Sequence, residues 1–145
     1  MKEYLSKSVD ETYEIGRKTA LEYGKGTVFA YFGDLGMGKT AFTKGLVQGF
    51  GIDAEVTSPT FALVNEYRSE GITLYHFDMY RISTWEDLYS TGYFDYVDTD
   101  AVLAIEWSEN IENALPDDCV CIEISKGEDD NSRIIRIGSK EELRK

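Results

Sequence analysis

Residues 33–40 read Gly-Asp-Leu-Gly-Met-Gly-Lys-Thr and fit G-x-x-x-x-G-K-[ST] at every fixed position. The flanks make the match informative. Upstream, Val28-Phe29-Ala30-Tyr31-Phe32 has the β-branched and aromatic content of a buried strand. Downstream, Phe42, Leu46, Val47 and Phe50 recur at helical spacing. Strand, glycine-rich turn and helix in that order are what a phosphate-binding loop requires. Gly33, Gly36 and Gly38 let the main chain turn tightly and bring N–H groups up to phosphate oxygens. A helix starting near Gly38 aims its positive end at the same anion. Lys39 is placed to reach the β and γ phosphates of a nucleotide, and the Thr40 hydroxyl to ligate Mg²⁺. A glycine-rich turn spelling the motif by chance is the alternative, and the strand and helix on either side weigh against it.

A chain of 145 residues with 42% apolar content predicts one domain spanning 1–145, with enough material for one core. No apolar run approaches the ~20 residues of a membrane span, and the start Met-Lys-Glu-Tyr-Leu-Ser lacks an apolar leader. The expected location is cytoplasmic. Fifteen basic residues against 27 acidic ones give a charge of −12, which disfavours self-sufficient nucleic-acid binding and suits a basic protein partner. Cys119 and Cys121 lie two apart in a strand-like run and read as small buried hydrophobes on one face. With His76 as the only histidine, structural zinc is not expected.

Along the chain, Asp10 is a candidate N-cap for a helix reaching Tyr23, where Gly24 stops it. Residues 62–67 and 72–77 predict a hairpin turning at Ser69-Glu70-Gly71. Ser83 with Glu86 reads as a capping box, and Ser108 as a cap for a brief helix before Pro116. Strands are expected near 101–105, 119–125 and 133–137, and a short capped helix from Ser139 with Glu142. Helices interleaved with buried strands predict an α/β fold, a three-layer sandwich of the P-loop NTPase type with a mostly parallel central sheet.

Phosphoryl chemistry also needs acids facing the loop. Glu106 ends the apolar run from Ala101, as the carboxylate of a Walker B segment does, with Glu in place of the commoner Asp. Asp78 ends the run from Ile72. Ligands of open α/β sheets bind beyond the carboxyl ends of strands, so both acids face the loop if their strands run parallel to the first. A solvated acid at a strand end is the alternative for each. His76 shares a strand face with Asp78, and either orients it or is simply packed. Thr60 lies where P-loop switches sense the γ phosphate, although Ser58-Pro59-Thr60 alone reads as an ordinary turn.

Taken together, Gly33–Thr40, Ser58-Pro59-Thr60-Phe61, Tyr75-His76-Phe77-Asp78-Met79-Tyr80-Arg81 and Ile105-Glu106-Trp107 resemble the TsaE (YjeE) family in order and spacing over almost the whole chain. The resemblance implies a bacterial ATPase using ATP and Mg²⁺ that supports N6-threonylcarbamoyladenosine formation at position 37 of tRNA. It would act on a threonylcarbamoyl transferase, TsaD, with its partner TsaB, and reach tRNA mainly through them. The implied nucleotide-binding set is Gly33, Asp34, Leu35, Gly36, Met37, Gly38, Lys39, Thr40 and Ala41 with Thr12, Thr60 and Trp107. Thr40, Glu106 and Asp78 are the implied metal ligands, and Asp78, Glu106 and Lys39 the implied catalytic residues. Many relatives carry a second Thr where this chain has Ala41, a lost hydroxyl contact worth ~1 kcal/mol. Arg133 and Arg136 face either the nucleotide or a partner.

Two other readings compete. A small-molecule kinase on the same scaffold needs an acceptor pocket and an arginine-bearing lid, and no lid insertion is apparent. A non-catalytic nucleotide-dependent module is disfavoured by intact Lys39, Thr40 and Glu106.

Overall fold

Two apolar runs form the centre of the sheet. Val28–Phe32 (β2, with β1 at Lys2–Ser6) and Val102–Glu106 (β5) lie side by side in parallel. The computed structural model describes residues 1–32, 36–57, 59 and 63–144. The remaining strands are β3 (Val64–Ser69), β4 (Ile72–Asp78), β6 (Val120–Lys126) and β7 (Arg133–Gly138). The described strands make one seven-stranded sheet in the order β1-β7-β6-β2-β5-β4-β3. Helices α1 (Val9–Tyr23) and α2 (Gly36–Gly49) precede and follow β2. The short α3 (Trp85–Ser90) and α4 (Tyr93–Tyr96) lie between β4 and β5, a 3-10 helix (Ser108–Ala114) follows β5, and α5 (Lys140–Arg144) ends the chain.

The sheet is mixed, not mostly parallel. Parallel pairing is confined to β2 with β5 and β6, and β4 with β5. The β3–β4 and β6–β7 pairs are antiparallel, because connections this short allow only a hairpin. The remaining antiparallel pair joins β7 to β1, a strand not expected from sequence. Only Ser6 of β1 is buried, so the strand carries no apolar alternation to announce it.

Side chains alternate across the sheet and build two cores. Phe29, Tyr31, Leu74, Ala104 and Ile122 pack against Phe42 and Leu46 of α2. On the other face, Ala30, Phe77, Leu103, Ile105 and Cys121 pack with Leu88 of α3 and Tyr93 of α4. Three layers result. Cys119 and Cys121 are free, buried and share that second face, as their spacing predicts. Among the described residues no helix is long and apolar enough to cross a membrane.

Helix starts follow local hydrogen bonding more than residue class. Ser8, not Asp10, caps α1: its extended backbone lets the side chain accept the Glu11 N–H. Thr84 with Asp87, one residue beyond the expected Ser83 and Glu86, forms the reciprocal capping box of α3. At the end of β5 the cap is Trp107 in the left-handed region, while Ser108 donates back to the Ile105 carbonyl. Ser139 and Glu142 do form the expected reciprocal pair, each accepting the other's backbone N–H.

Candidate functional site

Because β4 and β5 run parallel to β2, their carboxyl ends lie at the edge of the sheet from which α2 begins. Asp78 and Glu106 are register partners across β4 and β5, and the Met79 N–H donates to the Glu106 carbonyl. The condition on which both acids were expected to share an edge with the glycine-rich turn is therefore met. Asp78, His76 and Glu106 also share the α1–α2 face, since Leu74 and Ala104 on the same alternation pack there.

Glu106 is held from an unexpected direction. His76 Nε2 lies 2.6 Å from Glu106 Oε2, and His76 is buried. With Nε2 carrying the proton, the imidazole donates to the carboxylate. His76 Nδ1 is then a buried acceptor without a partner among the described residues. Period-2 alternation points to Asp78 as the acid beside His76, but the contact made is diagonal, across to β5. Asp78 instead accepts the Tyr80 N–H on Oδ1 at 2.9 Å, closing a tight turn after β4. Its own N–H donates to the Leu63 carbonyl at 2.8 Å, and Leu63 in turn donates to Pro59. The segment flanking Thr60 is thus anchored on Asp78.

Lys39 lies in the first turns of α2 and is 2% exposed. Its Nζ lies 5.4 Å from the centroid of the Trp107 ring, within cation–π range. Trp107 directly follows Glu106, so this contact ties α2 to the end of β5. The tryptophan backbone has φ 59° and ψ 43°, a left-handed conformation rare for a bulky residue and costing roughly 1–3 kcal/mol. Tyr80 packs against the same indole, its ring tilted by 56° with centroids 5.0 Å apart. Two strand-end turns and a helix therefore converge on one indole.

Beside this edge a cleft of about 360 Å³ is lined by Ser8, Thr12, Gly38, Ala41, Asn131 and Arg133, among others. Thr12 is buried, and its hydroxyl lies 2.7 Å from Ser6 Oγ. This places the predicted Thr12, Gly38 and Ala41 on one wall system. Arg133 belongs to the same cleft and is braced by the Asp130 and Ser132 carbonyls, whereas Arg136 turns away to Glu123 at 3.2 Å. Ser8 and Asn131 carry no motif that could have singled them out. Gly36, Met37 and Thr40 fall within α2, which begins two residues earlier than expected. Gly33, Asp34, Leu35 and Thr60 lie outside the described residues.

Chemically, the edge sets an ammonium and the start of a helix opposite two carboxylates. Among the described residues no group of three or more His, Cys, Asp or Glu side chains is placed to hold a metal ion by itself. The Glu106 Oε1 and Asp78 Oδ2 atoms accept no hydrogen bond from a described residue. An open pair of acids of this kind suits a hard cation that keeps its waters and takes further ligands from a bound phosphate, as Mg²⁺ does.

Residues 6–135 match the family model described as Threonylcarbamoyl adenosine biosynthesis protein TsaE. The chain belongs to the TsaE family. Its TsaE relatives include proteins named tRNA threonylcarbamoyladenosine biosynthesis protein TsaE in several bacteria. That of Bacillus subtilis is 39% identical over 92% of this chain and 85% of its own length. The Treponema pallidum protein is 38% identical over 90% of this chain and 96% of its own. The Haemophilus influenzae protein is 44% identical over a shorter match, 67% of this chain and 61% of that one. The crystal structure of YdiB from B. subtilis superposes with a TM-score of 0.78 at 33% identity, over 95% of this chain and 84% of that one.

Proposed function

We propose that this TsaE-family chain, on a P-loop NTPase fold, binds ATP with Mg²⁺ and hydrolyses it in support of threonylcarbamoyl transfer to adenosine 37 of tRNA. It does so by acting on a TsaD–TsaB-type transferase complex. The observation that carries the reading is Lys39 Nζ on the Trp107 ring, immediately beside the paired ends of β4 and β5. An anion held by Lys39 and the start of α2 would face two carboxylates across a short gap.

Residue roles follow from that layout. Lys39, with the amides of residues 33–41, would neutralise and orient the phosphate tail. Thr40, Glu106 and Asp78 would hold Mg²⁺, which supplies charge neutralisation on the transferring phosphoryl group. His76 fixes the Glu106 carboxylate, leaving Oε1 for metal or water. The Thr12–Ala41 cleft would take the nucleoside, with Arg133 along its rim. Thr60 is placed in sequence, between Pro59 and Leu63, to report the γ phosphate. The −12 charge supports contact with tRNA through the partner complex and not directly.

ADP formation is the test, measured on the purified chain alone and with the transferase pair. Turnover is expected in at least one of the two, and absence from both overturns the hydrolase reading. Glu106→Gln should lower turnover by about 100-fold while changing affinity for a fluorescent ATP analogue less than about threefold. Equal turnover in variant and parent would remove Glu106 from the chemistry.

A further inference from the structure

The face of the sheet opposite the candidate site carries an aromatic surface that nothing above uses. Trp85 is 57% exposed and Tyr89 65% exposed, both on α3. Their rings lie 6.2 and 4.6 Å from that of Phe94 on α4, making one continuous patch. Trp85 also forms the lip of a groove of about 270 Å³ between α3 and the 3-10 helix, with Ile82, Leu88, Ile111 and Ala114 in its lining. Large exposed aromatics beside an apolar groove are the composition of a protein-docking centre.

Charge selects the occupant. No Lys, Arg or His occurs anywhere between Arg81 and Lys126, and Lys140, which reaches the 3-10 helix from α5, is engaged by the Glu112 and Leu115 carbonyls. Carboxylates border the patch instead: Glu86 on α3, Asp95 beside Phe94, and Glu109 and Glu112 in the groove lining. A nucleic-acid backbone or an anionic membrane would be repelled. A second copy of the chain would set acid against acid across a two-fold interface.

We infer that the α3–α4 aromatic patch and its groove dock a partner protein through a surface that carries lysine or arginine residues around an apolar anchor. The anchor fills the groove, and the basic rim meets the acidic border. This rests on the proposed action through a protein complex, and names the face and the chemistry by which that complex is met. The patch is continuous with the candidate site through the turns at Tyr80 and Trp107, where Asn110 of the 3-10 helix donates to the Met79 and Tyr80 carbonyls.

The test is binding of the full chain, with ATP and magnesium, to the purified TsaD–TsaB-type pair. Trp85→Ala/Tyr89→Ala should weaken binding by about 30-fold or more, while ATP affinity and the thermal midpoint stay near the parent's. Glu86→Lys/Asp95→Lys should weaken it too, and flatten its dependence on salt. Equal binding by parent and both variants overturns the docking face and leaves the proposed function standing. No binding by the parent overturns the partner reading, and this inference with it. A homodimer dissolved by the aromatic variant, or RNA retained by the parent alone and lost by the variant, overturns the assigned occupant.

Discussion

Lys39→Met should abolish the stabilisation that ATP·Mg²⁺ gives the folded protein. The parent holds an ammonium at 2% exposure, 5.4 Å from the centroid of the Trp107 ring, at the start of α2. In the variant's complex the triphosphate loses a cation aimed at its most charged oxygens. Loss of a charge-assisted contact of this kind is worth about 3 kcal/mol or more, over a hundredfold in affinity. Thermal scans with and without ATP·Mg²⁺ measure the loss. At a ligand concentration of ~100 times Kd the parent gains about 2.7 kcal/mol, and the variant should gain close to nothing. An equal thermal shift in both proteins would remove Lys39 from nucleotide binding. A variant that unfolds without ligand would show instead that the buried ammonium is structural.

What could be read from sequence here was what lies close in sequence. Strand β2, helix α2, the apolar run ending at Glu106 and the hairpin ending at Asp78 are each written in consecutive residues, and each forms, α2 starting two residues early. The His76–Glu106 contact was not legible, because it depends on β4 lying next to β5, and alternation within β4 points only to Asp78. Arg133 and Arg136 looked equivalent until the β6–β7 pairing set Arg136 opposite Glu123 and left Arg133 at the cleft. β1 escaped notice because a strand on the sheet edge, buried at one residue, needs no apolar pattern. The cap at Ser8 in place of Asp10 shows a subtler limit. Both residue types cap well, and only the extended backbone at Ser8 decides between them.

Gly45→Ala should destabilise the protein by about 3 kcal/mol or more, although alanine is the better helix former by ~1 kcal/mol. A Cβ on Gly45 would lie 2.0 Å from the Tyr13 carbonyl oxygen and 2.8 Å from the Arg17 nitrogen, both main-chain atoms of α1. Gly16 and Gly49 meet the facing helix in the same way, at 2.2 Å from the Phe42 carbonyl oxygen and 2.5 Å from that of Arg17. With backbone on both sides no rotamer change relieves the clash, so α1 and α2 must separate. That motion acts on the candidate site directly, since Thr12 on α1 and Gly38 and Ala41 on α2 face one cleft. Affinity for ATP should therefore fall along with stability. Gly51→Ala is the control: its φ of 80° brings strain, but no atom lies within 4 Å of the added carbon. It should cost about 1–2 kcal/mol and leave the cleft intact. Urea titration gives both stabilities, and a Gly45→Ala midpoint at or above the parent's would mean that the two helices do not meet backbone to backbone.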